Sequence, residues 1–192
     1  GARFDDRITG KLEEFSPGSK KVHIDIDPSS INKNVKVELP IVGDVKDAIS
    51  STIKTINKKK PSFLKSNKEN ISNWWEQISK WRSKKSLNYV NSEQTIKPQY
   101  AVQRLYELTK KKDTYITTEV GQHQMWAAQH YKFNKPNRWM TSGGLGTMGY
   151  GLPAAVGVQI AHPKKLVIDI AGEASVLMTM QEMSTAIQYS LP

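Results

Sequence analysis

Five glycines fall within the nine residues from Gly143 to Gly151, inside the string Thr141-Ser142-Gly143-Gly144-Leu145-Gly146-Thr147-Met148-Gly149-Tyr150-Gly151. A short strand pattern precedes the string and an apolar helix pattern follows it. Glycine at that density strips side chains from a segment whose backbone must turn sharply or lie against something flat or charged. Amides just ahead of a helix also form a ready anion site. On its own the string is more readily a tight turn packing a helix onto a strand. Two other turns narrow the choice. Leu166 to Ile170 is an apolar strand running into Gly172-Glu173-Ala174-Ser175, and Tyr115 to Thr118 runs toward Gly121-Gln122-His123-Gln124-Met125-Trp126. In a parallel sheet, three such strand ends meet at the edge where open α/β sheets bind their ligands.

The rest of the chain supports that class. Pro98 opens a helix with Val102, Leu105 and Leu108 expected inward, and strands and helices then alternate: Tyr115 to Thr118, a helix from about Gln122, Trp139 to Thr141, a helix from Tyr150, Leu166 to Ile170, and a helix from about Met178. That order implies right-handed βαβ crossovers and a parallel sheet. Ahead of it, Lys21 to Ile26 and Val35 to Leu39 read as strands, and Asp44 caps a helix from Val45 to Ile56. The pattern breaks at Lys58-Lys59-Lys60-Pro61, where a polar linker begins. The linker holds one amphipathic helix, with Ile71, Trp74, Trp75, Ile78 and Trp81 on a face that would dock on a neighbouring domain. The fold class is therefore α/β, in three parts: residues 1–57, the linker 58–97, and 98–192.

Composition excludes more than it identifies. With no cysteine, neither disulfides nor thiolate metal sites are available. No apolar run approaches the ~20 residues that span a bilayer. The formal net charge of +10 raises a basic nucleic-acid-binding module as a rival. The lysines cluster in the linker, however, and arginine, the better base reader, is scarce. The charge reads as solvated surface, with neither nucleic acid nor membrane as partner.

The string Gly121 to Gln129, the Gly-rich loop and the turn at Gly172 together resemble the thiamine-diphosphate-binding domain of the acetohydroxyacid synthase (acetolactate synthase) family. Gly1 to Gly10, with His23-Ile24-Asp25-Ile26-Asp27, is similar to the Rossmann-like flavin-binding middle domain of the same catalytic subunit. The resemblance implies thiamine diphosphate, Mg2+ and FAD as cofactors. It implies that Gln122, His123, Gly146, Thr147, Met148, Glu173, Ala174 and Ser175 contact thiamine diphosphate. Met148 would wedge between the two rings of the cofactor and Glu173 would ligate the metal, although the family turn Gly-Asp-Gly here reads Gly172-Glu173-Ala174. Gly1, Ala2, Arg3, Phe4, Asp5, Asp25, Ile26, Asp44 and Val45 would lie along the flavin, and Arg7 would face the carboxylate of the second ketoacid. As local chemistry, Arg3, Asp5, Asp6 and Arg7 also offer two charge-assisted pairs.

By the same resemblance, the parent joins pyruvate to a second 2-ketoacid, pyruvate or 2-ketobutyrate, in the synthesis of valine, leucine and isoleucine. It would be a transferase of the bacterial cytoplasm, a homodimer or tetramer with a small regulatory subunit. Both ends of the chain read as cut, so the expectation is an internal fragment, inactive alone. The family's catalytic glutamate, its metal-binding asparagine and its lid would lie outside. Another thiamine-diphosphate-dependent carboligase or decarboxylase is the near alternative.

Overall fold

The computed structural model describes residues 1–58 and 67–192 and divides into two compact units, Gly1–Lys84 and Lys85–Pro192. In the first unit, α1 (Asp6–Thr9) precedes two parallel strands, β1 (Val22–Asp25) and β2 (Leu39–Val42), and the helix α2 (Val45–Ser83). In the second, α3 (Pro98–Thr109) leads into β3 (Thr114–Thr118), α4 (Gln122–His130), β4 (Trp139–Thr141), α5 (Gly151–Ala161), β5 (Leu166–Ile170), α6 (Glu173–Leu177) and α7 (Glu182–Gln188).

The second unit carries the sheet that sequence periodicity implies. Its three strands are all parallel in the order β4-β3-β5, with Ile116 opposite both Trp139 and Ile168. From the central β3 the chain steps out to β4, then crosses back over β3 to reach β5. Right-handed crossovers in opposite directions put α4 and α5 on opposite faces. Strand alternation sorts the side chains accordingly. Ile116, Ile168 and Ile170 join Val102, Trp126 and Tyr131 in the core under α3 and α4. Thr117 and Asp169 point to the other face, where the Thr117 hydroxyl donates to Asp169 Oδ1 at 2.9 Å. The three strand ends carrying Gly121, Ser142 and Gly172 share one edge, which is a topological switch point.

The opposite edge is ionic. Asp113, immediately before β3, meets Arg138 (2.9 Å), immediately before β4, and Lys165 (3.0 Å), immediately before β5; Lys135 adds a third cation at 3.3 Å. Arg138 and Lys165 hold the Asp113 carboxyl well below the usual carboxylate range.

Several boundaries differ from expectation, each for a local reason. The second strand is Leu39–Val42, not Val35 to Leu39. Leu39 N–H donates to Lys21 O at 3.2 Å, so the next position faces its missing donor away from β1 and tolerates Pro40. The segment before it folds back instead, with Val37 N–H donating to Asn32 Oδ1 at 2.8 Å. α2 continues past Ile56, and the break expected at Lys59-Lys60-Pro61 lies outside the described residues. In α3, Leu108 is 62% exposed, because the inward stripe is Val102, Leu105, Tyr106 and Thr109 and position 108 falls off it. After β5, helix begins at Glu173 with α6 rather than near Met178, then breaks into successive turns before α7. On α2, Trp74, Trp75 and Trp81 are about half exposed, with Trp74 and Trp81 edge-to-face at 5.4 Å. No helix among the described residues is long and apolar enough to cross a membrane.

Candidate functional site

A cavity of about 590 Å³ opens at the strand-end edge of the β4-β3-β5 sheet. Its wall collects Gln122 and His123 from the start of α4, Met148 from the Gly-rich loop, and Glu173, Ala174 and Ser175 from the start of α6. Six residues separated by up to 53 positions in sequence (175 − 122) thus share one surface. Trp126 and Val102 supply its apolar floor.

His123 is clasped between two glycines. A Cβ on Gly121 would fall 2.8 Å from His123 Cε1, and one on Gly172 would fall 2.9 Å from the same atom. Both positions therefore stay side-chain-free so that the imidazole can lie across the ends of β3 and β5. Its Nε2 is buried and has no hydrogen-bond partner among the described residues. An orphaned polar atom on the wall of a cavity suits a polar ligand. Ser175 is differently placed: it is 2% exposed and its hydroxyl donates to Val120 O at 3.1 Å, pinning α6 to the turn after β3.

Met148 is 37% exposed. A methionine filling the core would be buried, so ordinary core packing does not account for it. The loop around it is shaped by Thr147 N–H, which donates to Ser142 Oγ at 2.9 Å, and by Gly149, whose φ of +81° other residues rarely adopt. Gly146 adjoins Val120: a Cβ on this glycine would lie 3.9 Å from Val120 Cγ1.

Glu173 stands exposed at the first position of α6. Among the described residues no group of three or more His, Asp or Glu side chains could hold a metal ion. Glu173 is the one carboxylate among the residues that line the cavity, so a Mg2+ ion there would take a single carboxylate from that wall.

Two acids near this edge, one buried and one partly buried, escaped sequence reading. Glu119 is fully buried, and its carboxylate accepts from Gly149 N–H at 2.7 Å and Leu152 N–H at 3.1 Å. Asp169 lies beside it; burial, reinforced by the Glu119 charge, pushes its carboxyl up to about 6 against the hydrogen bond from Thr117. The signal available was a lone acid ending the threonine-rich strand and another inside the apolar run Leu166 to Ile170.

The Asp169 shift has a signed consequence. Its folded value exceeds the ordinary carboxyl value, so the folded state holds the proton more tightly than the unfolded one. Stability from this group is complete below about pH 4 and falls by up to about 3 kcal/mol as pH rises through about 6. Asp169→Asn, which still accepts from Thr117, is expected to flatten that fall and raise the unfolding midpoint at neutral pH. Thermal melts of both proteins across this range check it; parallel curves would refute it.

In the first unit, the flavin candidates gather at the corresponding edge of β1 and β2. Asp25 ends β1 and Ile26 follows it, Gly43 N–H donates to Asp25 O at 2.9 Å, and Asp44 caps α2 by accepting from Lys46 N–H at 2.8 Å. The Gly1 amino group lies 3.3 Å from Asp25 Oδ2. Ile26 and Val45 are exposed there, and an apolar surface beside two carboxylates fits a ligand with a flat ring and a hydroxylated chain. The Asp27 amide holds the Asp25 carboxyl below its ordinary value. Ala2 lies between these and Arg3, which pairs with Asp5 at 3.8 Å. Phe4 meets the His23 ring edge-to-face at 5.1 Å. The second expected pair does not form among the described residues. Asp6 accepts instead from the backbone N–H of Arg7 at 3.1 Å, since consecutive helix positions point their side chains apart. Arg7 is exposed.

Comparison with known proteins agrees with this division. Residues 119–192 match the thiamine pyrophosphate enzyme C-terminal TPP binding domain, and residues 1–52 match the thiamine pyrophosphate enzyme central domain. The chain is 47% identical over 192 residues to the acetolactate synthase large subunit of Haemophilus influenzae, covering 100% of this chain and 33% of that protein. It is 51% identical over 191 residues to the acetolactate synthase large subunit of Buchnera aphidicola subsp. Schizaphis graminum (100% and 32%). Against the acetolactate synthase isozyme 3 large subunit of Escherichia coli the identity is 46% over 192 residues (100% and 33%). The chain spans about a third of the length of these curated relatives. With the central-domain and C-terminal TPP-binding-domain models matching its two units, and its whole length similar to acetolactate synthase large subunits, the chain belongs to the thiamine pyrophosphate enzyme family.

Proposed function

We propose that this chain is part of an acetolactate synthase that decarboxylates pyruvate and joins the two-carbon unit to a second 2-ketoacid, pyruvate or 2-ketobutyrate, on the route to valine, leucine and isoleucine. The observation that carries this reading is the cavity at the switch point, where Gln122, His123, Met148 and Glu173 converge. Thiamine diphosphate, when bound, supplies the electron sink that decarboxylation of a 2-ketoacid requires. The residues of this chain bind and orient it. His123, whose buried Nε2 has no partner among the described residues, and Gln122 line the cavity and would donate to diphosphate oxygens. Glu173 would supply one carboxylate to Mg2+ on the same diphosphate. Met148, held in the open by a glycine on its C-terminal side, would press between the cofactor rings.

The exposed apolar edge of β1 and β2, bordered by Asp25 and Asp44, supports FAD as a second cofactor in the central-domain unit. Arg7, exposed and without a carboxylate partner among the described residues, is free to meet a ketoacid carboxylate. Relatives named large subunits support a small regulatory subunit as partner, and a catalytic homodimer or tetramer is part of the same reading.

Acetolactate formation from pyruvate by the whole enzyme tests the activity, and Met148→Ala tests the site. This substitution is expected to weaken thiamine diphosphate binding and lower turnover with a stability cost well under the ~2–5 kcal/mol of a buried Met→Ala. A melting shift of that larger size with normal turnover would make Met148 a packing residue and remove it from the site.

A further inference from the structure

Glu119 follows β3 directly and is fully buried, yet both its oxygens are taken by amides and not by a cation. Oε2 accepts from Gly149, the residue after Met148, and Oε1 accepts from Leu152, the second residue of α5. The acid's own backbone N–H donates to Ile170 O at 3.2 Å, so the end of β3 is anchored to β5. A buried charge is tolerated here because two N–H dipoles and the positive end of the 11-residue α5 face it. On its other flank the loop is closed in: a Cβ on Gly149 would lie 3.0 Å from Thr179 Cγ2 and 3.3 Å from Met178 Cβ. The peptide after Met148 is thus held between an ionic anchor and the turn that follows α6.

We propose that Glu119 is a positioning residue for Met148. Its carboxylate fixes the loop-to-helix junction so that the thioether stands in the cavity rather than collapsing onto the sheet. This rests on the reading of Met148 as the residue that shapes the cofactor. Glutamine at 119 presents one acceptor and one donor to two N–H groups, so one hydrogen bond is lost and a donor faces a donor. Aspartate keeps the charge but falls short of one amide.

The test titrates thiamine diphosphate, at saturating magnesium, into the whole apoenzyme by tryptophan fluorescence, for Glu119→Gln, Met148→Ala and the double variant. Glu119→Gln is expected to weaken cofactor affinity about tenfold, the effect of losing one hydrogen bond to a charged group, with the KM for pyruvate unchanged. In the Met148→Ala background the same change should weaken affinity less than twofold, because the side chain it positions is gone. Full additivity would overturn the proposal, as would a lowered melting midpoint with unchanged cofactor affinity. If Met148→Ala alone leaves affinity untouched, the reading of Met148 fails first and the proposal falls with it. Should Glu119→Gln not fold, Glu119→Asp carries the same cycle: affinity between wild type and zero binding, and non-additive with Met148→Ala, supports the assignment, and wild-type affinity refutes it.

Discussion

Glu173→Gln in the whole enzyme is expected to lower activity at ordinary magnesium concentrations on the order of 100-fold or more. Even outer-shell partners of a metal are commonly worth roughly 10–100-fold, and Glu173 is argued to touch the ion itself. Its position favours that role over a purely local one. It stands at the end of β5 on the cavity wall, exposed, with no ion pair among the described residues to occupy it. Glutamine keeps size and hydrogen bonding but removes the charge a hard cation requires. Excess magnesium and thiamine diphosphate should therefore restore part of the rate. Glu173→Asp should retain more activity than glutamine, since charge survives and only reach is lost. Steady-state rates across a magnesium series decide the matter. Near-normal rates with an unchanged magnesium requirement in Glu173→Gln would leave Glu173 as a carboxylate balancing the α6 dipole.

Gly151→Ala is expected to destabilise the second unit by about 3 kcal/mol or more. A Cβ there would collide with Asp169 Oδ1 and would sit 2.7 Å from Glu119 N and 2.8 Å from Thr118 C. Two of those atoms belong to the backbone at the end of the central strand, which cannot swing aside as a long side chain can. Either α5 lifts off the sheet, breaking the Glu119 hydrogen bonds, or the strand shifts and its register with β5 is disturbed. Gly157, on the same helix, has nothing within 4 Å of its Cβ position. Gly157→Ala should instead be neutral or gain up to ~1 kcal/mol from helix propensity. Melting midpoints of the two variants of the whole protein make the comparison; equal shifts would mean that the close approach at Gly151 does not matter.

The contrast between these glycines shows where sequence reading stops. Strands β3, β4 and β5 were legible to within a residue, because short apolar or threonine-rich runs end at glycine turns. The site edge followed from their parallel order, and Gln122, His123, Met148 and Glu173 do share a wall. Which glycine serves a turn and which a close approach was not legible, since Gly151 owes its constraint to residues 18 and 32 positions away (169 − 151 and 151 − 119). Glu119 and Asp169 stayed hidden for the same reason. Their meaning comes from cross-strand register, which places one under the glycine loop and the other beside Thr117. Leu39–Val42 was missed because proline reads as a breaker until its free edge is known. The tryptophan face of α2 was legible as a periodicity, while nothing within its own sequence says what covers it.

The ionic cluster at Asp113 gives the sheet an asymmetric tolerance to change. Each of Asp113, Arg138 and Lys165 is the last residue before its strand, so the three chains are aligned at the moment they enter the sheet. The path a loop takes to reach that point carries no information about alignment. Connections entering β4 and β5 can therefore be lengthened, shortened or exchanged with those of distant relatives, so long as the final cation remains. Connections leaving the strands have no such freedom, because their backbones are themselves the wall of the cavity. An engineer choosing where to splice, tag or permute this protein would work at the entry side, and natural insertions should accumulate there as well.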